Sequence, residues 1–289
     1  MNFKTSITGK VTGGVVLVVL LGLVALPIAV ILVTSFGSDT IGTFPPPHYS
    51  FHWYDQVFAA GSPWVGSFEL SAAIAGMATV LSVLLGLGVA RGLARRDVPL
   101  RSLAIALLVA PLIIPEIVIA LGLFVIFEPL HLVGNPVAIA VGHTVVALPI
   151  AVLILVASLR SIDNRLEDAA ASLGAGRLTI LRQIVLPLAA PGVTAAAVFA
   201  FITSFDEFFI SQFLSSPTTI TLPVRLFNTL QYNISPTVTA VSALLVVVIV
   251  GALGVAVFVR WLFSGRRLAG AVLAMGEVSS LEVHRAAGV

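Results

Sequence analysis

Six stretches of predominantly apolar residues, each long enough to cross a bilayer, restrict this fold more than any other feature of the sequence. They run near 14–35, 67–90, 103–127, 136–157, 190–213 and 238–263. About 20 helical residues span the hydrocarbon core, and a helix satisfies its own backbone polar groups where no water can reach them. No series of alternating ten-residue segments points to a barrel instead. Charged residues make up 10% of the 289 and hydrophobic ones 58%. Soluble domains carry about 25% charge. The chain therefore reads as an all-α integral membrane protein. It has no cysteine and a formal net charge of +2. Disulfides and thiolate metal sites are excluded, and nothing in the charge points to nucleic acid.

Basic residues sort to alternate segments. Lys4 and Lys10 precede the first span, and Arg91, Arg95, Arg96 and Arg101 join the second to the third. Arg160, Arg165, Arg177 and Arg182 lie between the fourth and fifth, and Arg260, Arg266 and Arg267 close the sixth. Arg225 is the exception, on the opposite side. The positive-inside rule then puts residues 1–13, the second and fourth loops and the tail 268–289 in the cytoplasm. The outer segments 36–66 and 214–237 contain Asp39, Trp53, Asp55, Trp64 and several prolines, as expected of loops with aromatic anchors. A cleaved signal peptide competes for the first run. That run is too long for such a peptide's apolar region, and no small-residue cleavage site precedes Pro45.

The longest polar interruption is the loop 159–189 between spans four and five. Asn164 is a candidate helix cap, with Glu167 three residues on in the capping-box position. Leu166, Ala169, Ala170 and Leu173 then recur at helical spacing and form one narrow face of small and apolar side chains. Gly174 and Gly176 end this helix, since glycine takes the left-handed conformation freely. A second helix from about Arg177 carries Leu181, Ile184 and Val185 until Pro187 breaks it, and Pro191 admits the chain to span five at an angle. The bland alternative is an interfacial hairpin that merely connects two spans.

Read as Asp168-Ala169-Ala170, three residues, Gly174, nine residues, Ile184, one residue, Leu186-Pro187, the loop resembles the EAA loop of permease subunits of binding-protein-dependent ABC importers. Asp168 stands where that family has glutamate, which keeps the charge and shortens the side chain by one methylene. The resemblance implies a type I importer permease fold with six spans over 14–267 and a cytoplasmic coupling-helix hairpin. In such permeases Asp168, Ala169, Ala170, Leu173, Gly174, Ile184, Leu186 and Pro187 would dock on a cytoplasmic ATPase dimer. ATP and Mg would belong to that ATPase, and this chain would hold no cofactor. A second permease, by analogy a paralogue, and an extracytoplasmic solute-binding protein complete the implied assembly in a bacterial inner membrane. Pro111 to Val118, Ser204 to Glu207, and Thr221-Leu222-Pro223 through Ser235-Pro236-Thr237 resemble the spermidine/putrescine branch.

Acidic residues at bilayer depth usually face a protein interior or a water-filled path. Glu116 falls some thirteen residues into span three, about 20 Å along it. Asp206 and Glu207 fall in span five beside Phe205, Phe208 and Phe209. A cavity lined by Glu116, Asp206, Glu207 and Phe205 would attract a cationic solute. The alternative is that each acid pairs with serines, with His143 or with a partner permease to fix helix packing. On a continuous helix Asp206 and Glu207 point about 100° apart, which favours Asp206 for the path. His143 reads as a hydrogen-bonded packing residue, and Gly86, Gly88 and Gly92 as close helix contacts.

No Walker-type loop, His-Glu-x-x-His or Gly-x-Ser-x-Gly motif occurs, which leaves an intramembrane hydrolase without its usual machinery. The resemblance implies a non-enzymatic permease subunit for a small solute such as a polyamine. Permeases for another amine or an amino-acid-like solute are the nearest alternatives, and an ion-coupled carrier using Glu116 and Asp206 as proton sites is the competing class.

Overall fold

The computed structural model describes residues 7–38, 43–94, 101–232, 236–255 and 257–258. Lys4, Asp39, Arg95, Arg96, the arginines at the end of span six and the tail 268–289 lie outside the described residues. Helices account for nearly all the regular structure: α1 (Ile7–Thr34), α2 (His52–Phe58), α3 (Pro63–Ala94), α4 (Arg101–Ile113), α5 (Glu116–Phe127) and α6 (Pro136–Arg160). They continue with α7 (Asn164–Ser172), α8 (Arg177–Ile180), a π turn (Leu181–Val185), α9 (Leu186–Phe205), α10 (Phe209–Leu214) and α11 (Leu222–Tyr232). A final helix, α12, covers Thr237–Val255. Among the described residues five helical runs are long and apolar enough to cross a membrane, and six if the bent pair α4 and α5 is counted as one span.

Contacts divide the chain into two units, one of residues 1–69 and 222–249 and one of residues 70–221 and 250–289. In the first, the outer segment is not a simple loop. Phe51 and Tyr54 pack on Phe36, and Ser35 Oγ lies 2.7 Å from the Tyr54 hydroxyl, which folds α2 back against the end of α1. Trp53 and Trp64 are buried rather than presented as interfacial anchors. Burying a Trp ring removes more apolar surface from water than leaving it at the membrane boundary. Arg225, the residue that broke the charge pattern, donates from Nε to Ser67 Oγ at 2.5 Å.

The second unit is organised around α6, which packs along α9. Small residues allow that approach: Ala147 and Ala151 on α6 meet Ala189, Ala196 and Ala200 on α9 in one apolar cluster. A Cβ added at Gly192 would collide with the Ser158 side chain, so the helices touch there almost backbone to backbone. Close approach through small residues is how membrane helices gain packing energy where lipid supplies no hydrophobic drive. Gly86 meets Leu155 and Val152 in the same way, whereas Gly88 and Gly92 have open space above them and make no such contact among the described residues.

Two expected spans are interrupted. The third bends by 102° between α4 and α5. Pro111 stays inside α4, and the break falls at Pro115. Pro115 lacks an N–H and pushes Ile114 away from helical geometry, so the chain turns there. The fifth span ends at Phe205, and α10 starts only at Phe209, so Asp206 and Glu207 are not on a continuous helix. The reason is local: Glu207 accepts hydrogen bonds from the free N–H groups of Ile210 at 2.8 Å and Ser211 at 3.0 Å, which starts α10 afresh. By contrast Pro187 does not break its helix. Arg177–Phe205 is one continuous 29-residue run. The π turn widens it just before Pro187, where the Leu186 N–H reaches back five residues to the Leu181 carbonyl. Wide turns of this kind commonly absorb a residue that the α ladder cannot seat.

Candidate functional site

Two places in the second unit combine exposed polar groups with unusual backbone. The first is the hairpin. Asp163 has extended backbone, and its carboxylate accepts from the Arg165 N–H at 3.0 Å, so Asp163 is the cap and α7 starts one residue earlier than Arg165. Glu167 does not fold back onto the cap. Its Oε2 instead accepts from Arg91 Nη2 at 3.1 Å. At the other end Gly174 has φ +84°, its N–H donates to the Ala171 carbonyl at 2.9 Å, and the Ala175 N–H donates to the Ala170 carbonyl at 3.0 Å. These are the two bonds of a Schellman stop, which satisfies carbonyls that the helix leaves free.

The hairpin residues are unequally presented. Asp168, Ala169, Gly174 and Pro187 are exposed, and Leu173 is 89% exposed. Ala170 is turned partly into the inner apolar cluster that also holds Ile180, Val185 and Ala189. Ile184 and Leu186 are half-buried. The expected docking residues thus split into an outward face of Asp168, Ala169, Leu173 and Gly174 and a partly inward one of Ala170, Ile184 and Leu186. An exposed leucine at the end of a short polar helix, flanked by Leu166 and Leu178 that are also exposed, is apolar surface with no cover from the described residues.

The second place is where the two broken spans meet. α10 packs against α5, with Ile210 and Leu214 in a cluster with Ala120 and Ile139, and Phe124 edge-on to Phe213. Through that packing Glu116 in the first turn of α5 becomes an electrostatic neighbour of Asp206 and Glu207 at the end of α9. Glu116 and Asp206 are exposed. Glu207 is 4% exposed and Phe205 1%. Phe205 stacks on Phe201 at 5.5 Å. Helix ends at membrane depth bring fixed partial charges to a site: the N-terminus of α5 favours the Glu116 carboxylate, and the carbonyl end of α9 adds negative potential beside Asp206.

Glu207 has a different setting from its neighbour. Besides the two α10 N–H groups, it lies 3.2 Å from His143 Nε2. His143 is 1% exposed, with Nδ1 2.8 Å from Ser204 Oγ and Nε2 3.0 Å from Ser211 Oγ. The group joins α6, α9 and α10 into one buried polar network. Removing one member of such a network orphans the others. Glu207→Ala is expected to lower thermal stability in detergent by about 2–4 kcal/mol. Glu207→Gln, which keeps an acceptor, should lose clearly less. Equal melting of the two variants would show that the carboxylate holds nothing in place.

Residues 82–267 match the family model described as binding-protein-dependent transport system inner membrane component. The spermidine/putrescine transport system permease protein PotC of Haemophilus influenzae is 28% identical over 222 residues, covering 77% of this chain and 86% of that protein. The sulfoquinovosyl glycerol transport system permease protein SmoH of Agrobacterium fabrum is 36% identical over 152 residues, 52% of this chain and 53% of that one. Among solved structures, a bacterial ABC transporter involved in the import of the acidic polysaccharide alginate aligns with a TM-score of 0.66 at 20% identity. That alignment covers 88% of this chain and 98% of the other.

Proposed function

The chain belongs to the binding-protein-dependent transport system inner membrane components, and from that premise we propose that it passes a polyamine such as spermidine or putrescine inward as one permease subunit of an ATP-driven importer. The observation that carries the solute class is the meeting of two helix breaks that leaves Glu116 and Asp206 exposed and within electrostatic reach of each other. Two carboxylates and a carbonyl-rich helix end suit a cation with amines spaced along methylenes. The similarity to PotC over most of both chains supports the same class.

Energy enters at the hairpin. Asp168, Ala169, Leu173 and Gly174 form the outward docking face for a cytoplasmic ATPase dimer, with Ala170, Ile184 and Leu186 shaping the base beneath it and Pro187 exposed with the outward residues. ATP and Mg sit on that ATPase. A paralogous permease supplies the other half of the pathway, a soluble binding protein delivers the solute from outside, and both termini of this chain are cytoplasmic. Asp206 and Glu116 line the solute path, while Glu207 and Phe205 support it from behind.

A second reading follows from the 36% identity to SmoH over about half of each chain. In it the transported solute is a glycoside, and the two acids hold the partner permease. Uptake into proteoliposomes containing the permease pair, ATPase and binding protein separates the readings. Polyamine uptake that requires ATP on the ATPase side is expected. Glycoside uptake with no polyamine uptake would move the assignment to the second reading. Uptake driven by a proton gradient with no ATPase present would remove both.

A further inference from the structure

We infer that the ion pair between Arg91 and Glu167 is the tie through which movement of the hairpin reaches the cytoplasmic end of α3. This rests on the reading of the hairpin as the ATPase-docking element. Helix α7 has no buried residue of its own. Its hold on the rest of the unit is slight: it rests on α8 and the π turn, and Ala170 touches the inner cluster. Against that background, one ion pair joins it to a membrane span. Arg91 Nη2 lies 3.1 Å from Glu167 Oε2, and each side chain is 27% exposed. No other Arg or Lys salt bridge to a carboxylate is found among the described residues.

The position of the pair matters as much as its length. Arg91 sits one turn from the end of α3, where the Leu93 carbonyl is also within reach of Arg160 Nη2 at 3.5 Å, at the last residue of α6. The inner end of α3 is thus linked by one arginine to α6, the fixed centre of the unit, and by another to α7, the element offered to a partner. Arg91, Arg101, Arg160, Glu167 and Asp168 line one cavity of about 910 Å³ between these helix ends. Ala90 and Leu93 seat the same end of α3 in the inner cluster, so a pull on Arg91 is passed on to the packed bundle. Asp168, next to Glu167, is exposed and borders the same cavity, and of the two adjacent acids Glu167 is the one paired to the span.

Half-exposed ion pairs add little to static stability, because water screens them and side-chain freedom is lost. A coupling role and a structural role therefore predict different outcomes. In the reconstituted importer, Arg91→Glu sets two carboxylates against each other and should lower the ratio of solute imported to ATP hydrolysed by roughly tenfold or more. The ATPase should still co-purify, and the melting temperature should barely change. Glu167→Arg should behave alike, and the exchanged pair Arg91→Glu with Glu167→Arg should recover most of the lost ratio. The neutral variants Arg91→Gln and Glu167→Gln give the same reading with a smaller loss if the reversed charges impair membrane insertion. An unchanged import-to-hydrolysis ratio in the single variants, or no recovery in the exchanged pair, overturns the inference. Loss of the ATPase from the Glu167 variants alone overturns it too, since Glu167 would then be a docking residue. Failure of the docking reading shows elsewhere, as a Gly174→Arg complex that keeps its ATPase.

Discussion

Arginine in place of Gly174 is expected to reduce ATP-driven uptake to background and to release the ATPase subunit, with the membrane bundle still folded. Two effects combine. Gly174 has φ +84°, which an L-residue adopts only at a cost of about 1–2 kcal/mol. That strain falls on a turn held by two backbone bonds, from Gly174 to Ala171 and from Ala175 to Ala170. The second effect is the side chain itself. No atom lies within 4 Å of the position a Cβ would take, so the arginine has room, but that room is the outward face beside Leu173. A bulky, strongly hydrated group there keeps a partner surface from closing over the leucine. Gly174→Asn separates the two, because asparagine tolerates the left-handed conformation and is short. It should retain a large share of uptake. Co-purification of the ATPase with each variant, alongside transport, is the measurement. An arginine variant that still binds the ATPase and transports would show that docking lies elsewhere.

Neutralising the exposed acids at the double break should act on the solute rather than on docking. Asp206→Asn and Glu116→Gln each keep shape and remove charge. A hydrogen bond to a charged group is worth about 1.5–3 kcal/mol, equivalent to roughly ten- to a hundredfold in polyamine uptake below saturation. The double variant should lose less than the product of the two, since neighbouring carboxylates that share one cation do not act independently. ATPase retention should be untouched, because neither residue belongs to the hairpin. Unchanged uptake kinetics in both single variants would take these acids out of the path.

The spans were readable because apolar content dominates every other signal over twenty residues, and the basic residues between them marked the sides. What was not readable depended on contacts distant in sequence. Pro115 announced a disturbance, but the size of the turn follows from α10 packing under α5, nearly a hundred residues away. The run through Phe213 contains no Gly or Pro at Asp206 and Glu207, so it reads as helix. The break exists because Glu207 finds His143 and the first N–H groups of α10. Asp163 and Asn164 are adjacent and both able to cap, and the backbone chose the first. Trp53 and Trp64 read as lipid anchors, yet both are buried, Trp53 on α2 and Trp64 at the start of α3. Gly174 was legible because a positive φ at a helix end is a local demand that few residues other than glycine meet. The partner of Glu167 was not, since Arg91 lies 76 residues away.

The π turn has a consequence for how the hairpin is aimed. Ile180 and Val185 both enter the inner cluster although they are five residues apart, a spacing that in an α-helix would set them about 140° apart around the axis. The widened turn restores their common phase and leaves one residue of slack between docking element and span. Losing that residue would rotate everything on its N-terminal side by about 100° while the α9 face stays seated on α6. The heading of the hairpin is therefore stepwise, not continuously adjustable, and a single insertion or deletion here re-indexes the whole docking face while the membrane packing keeps its register.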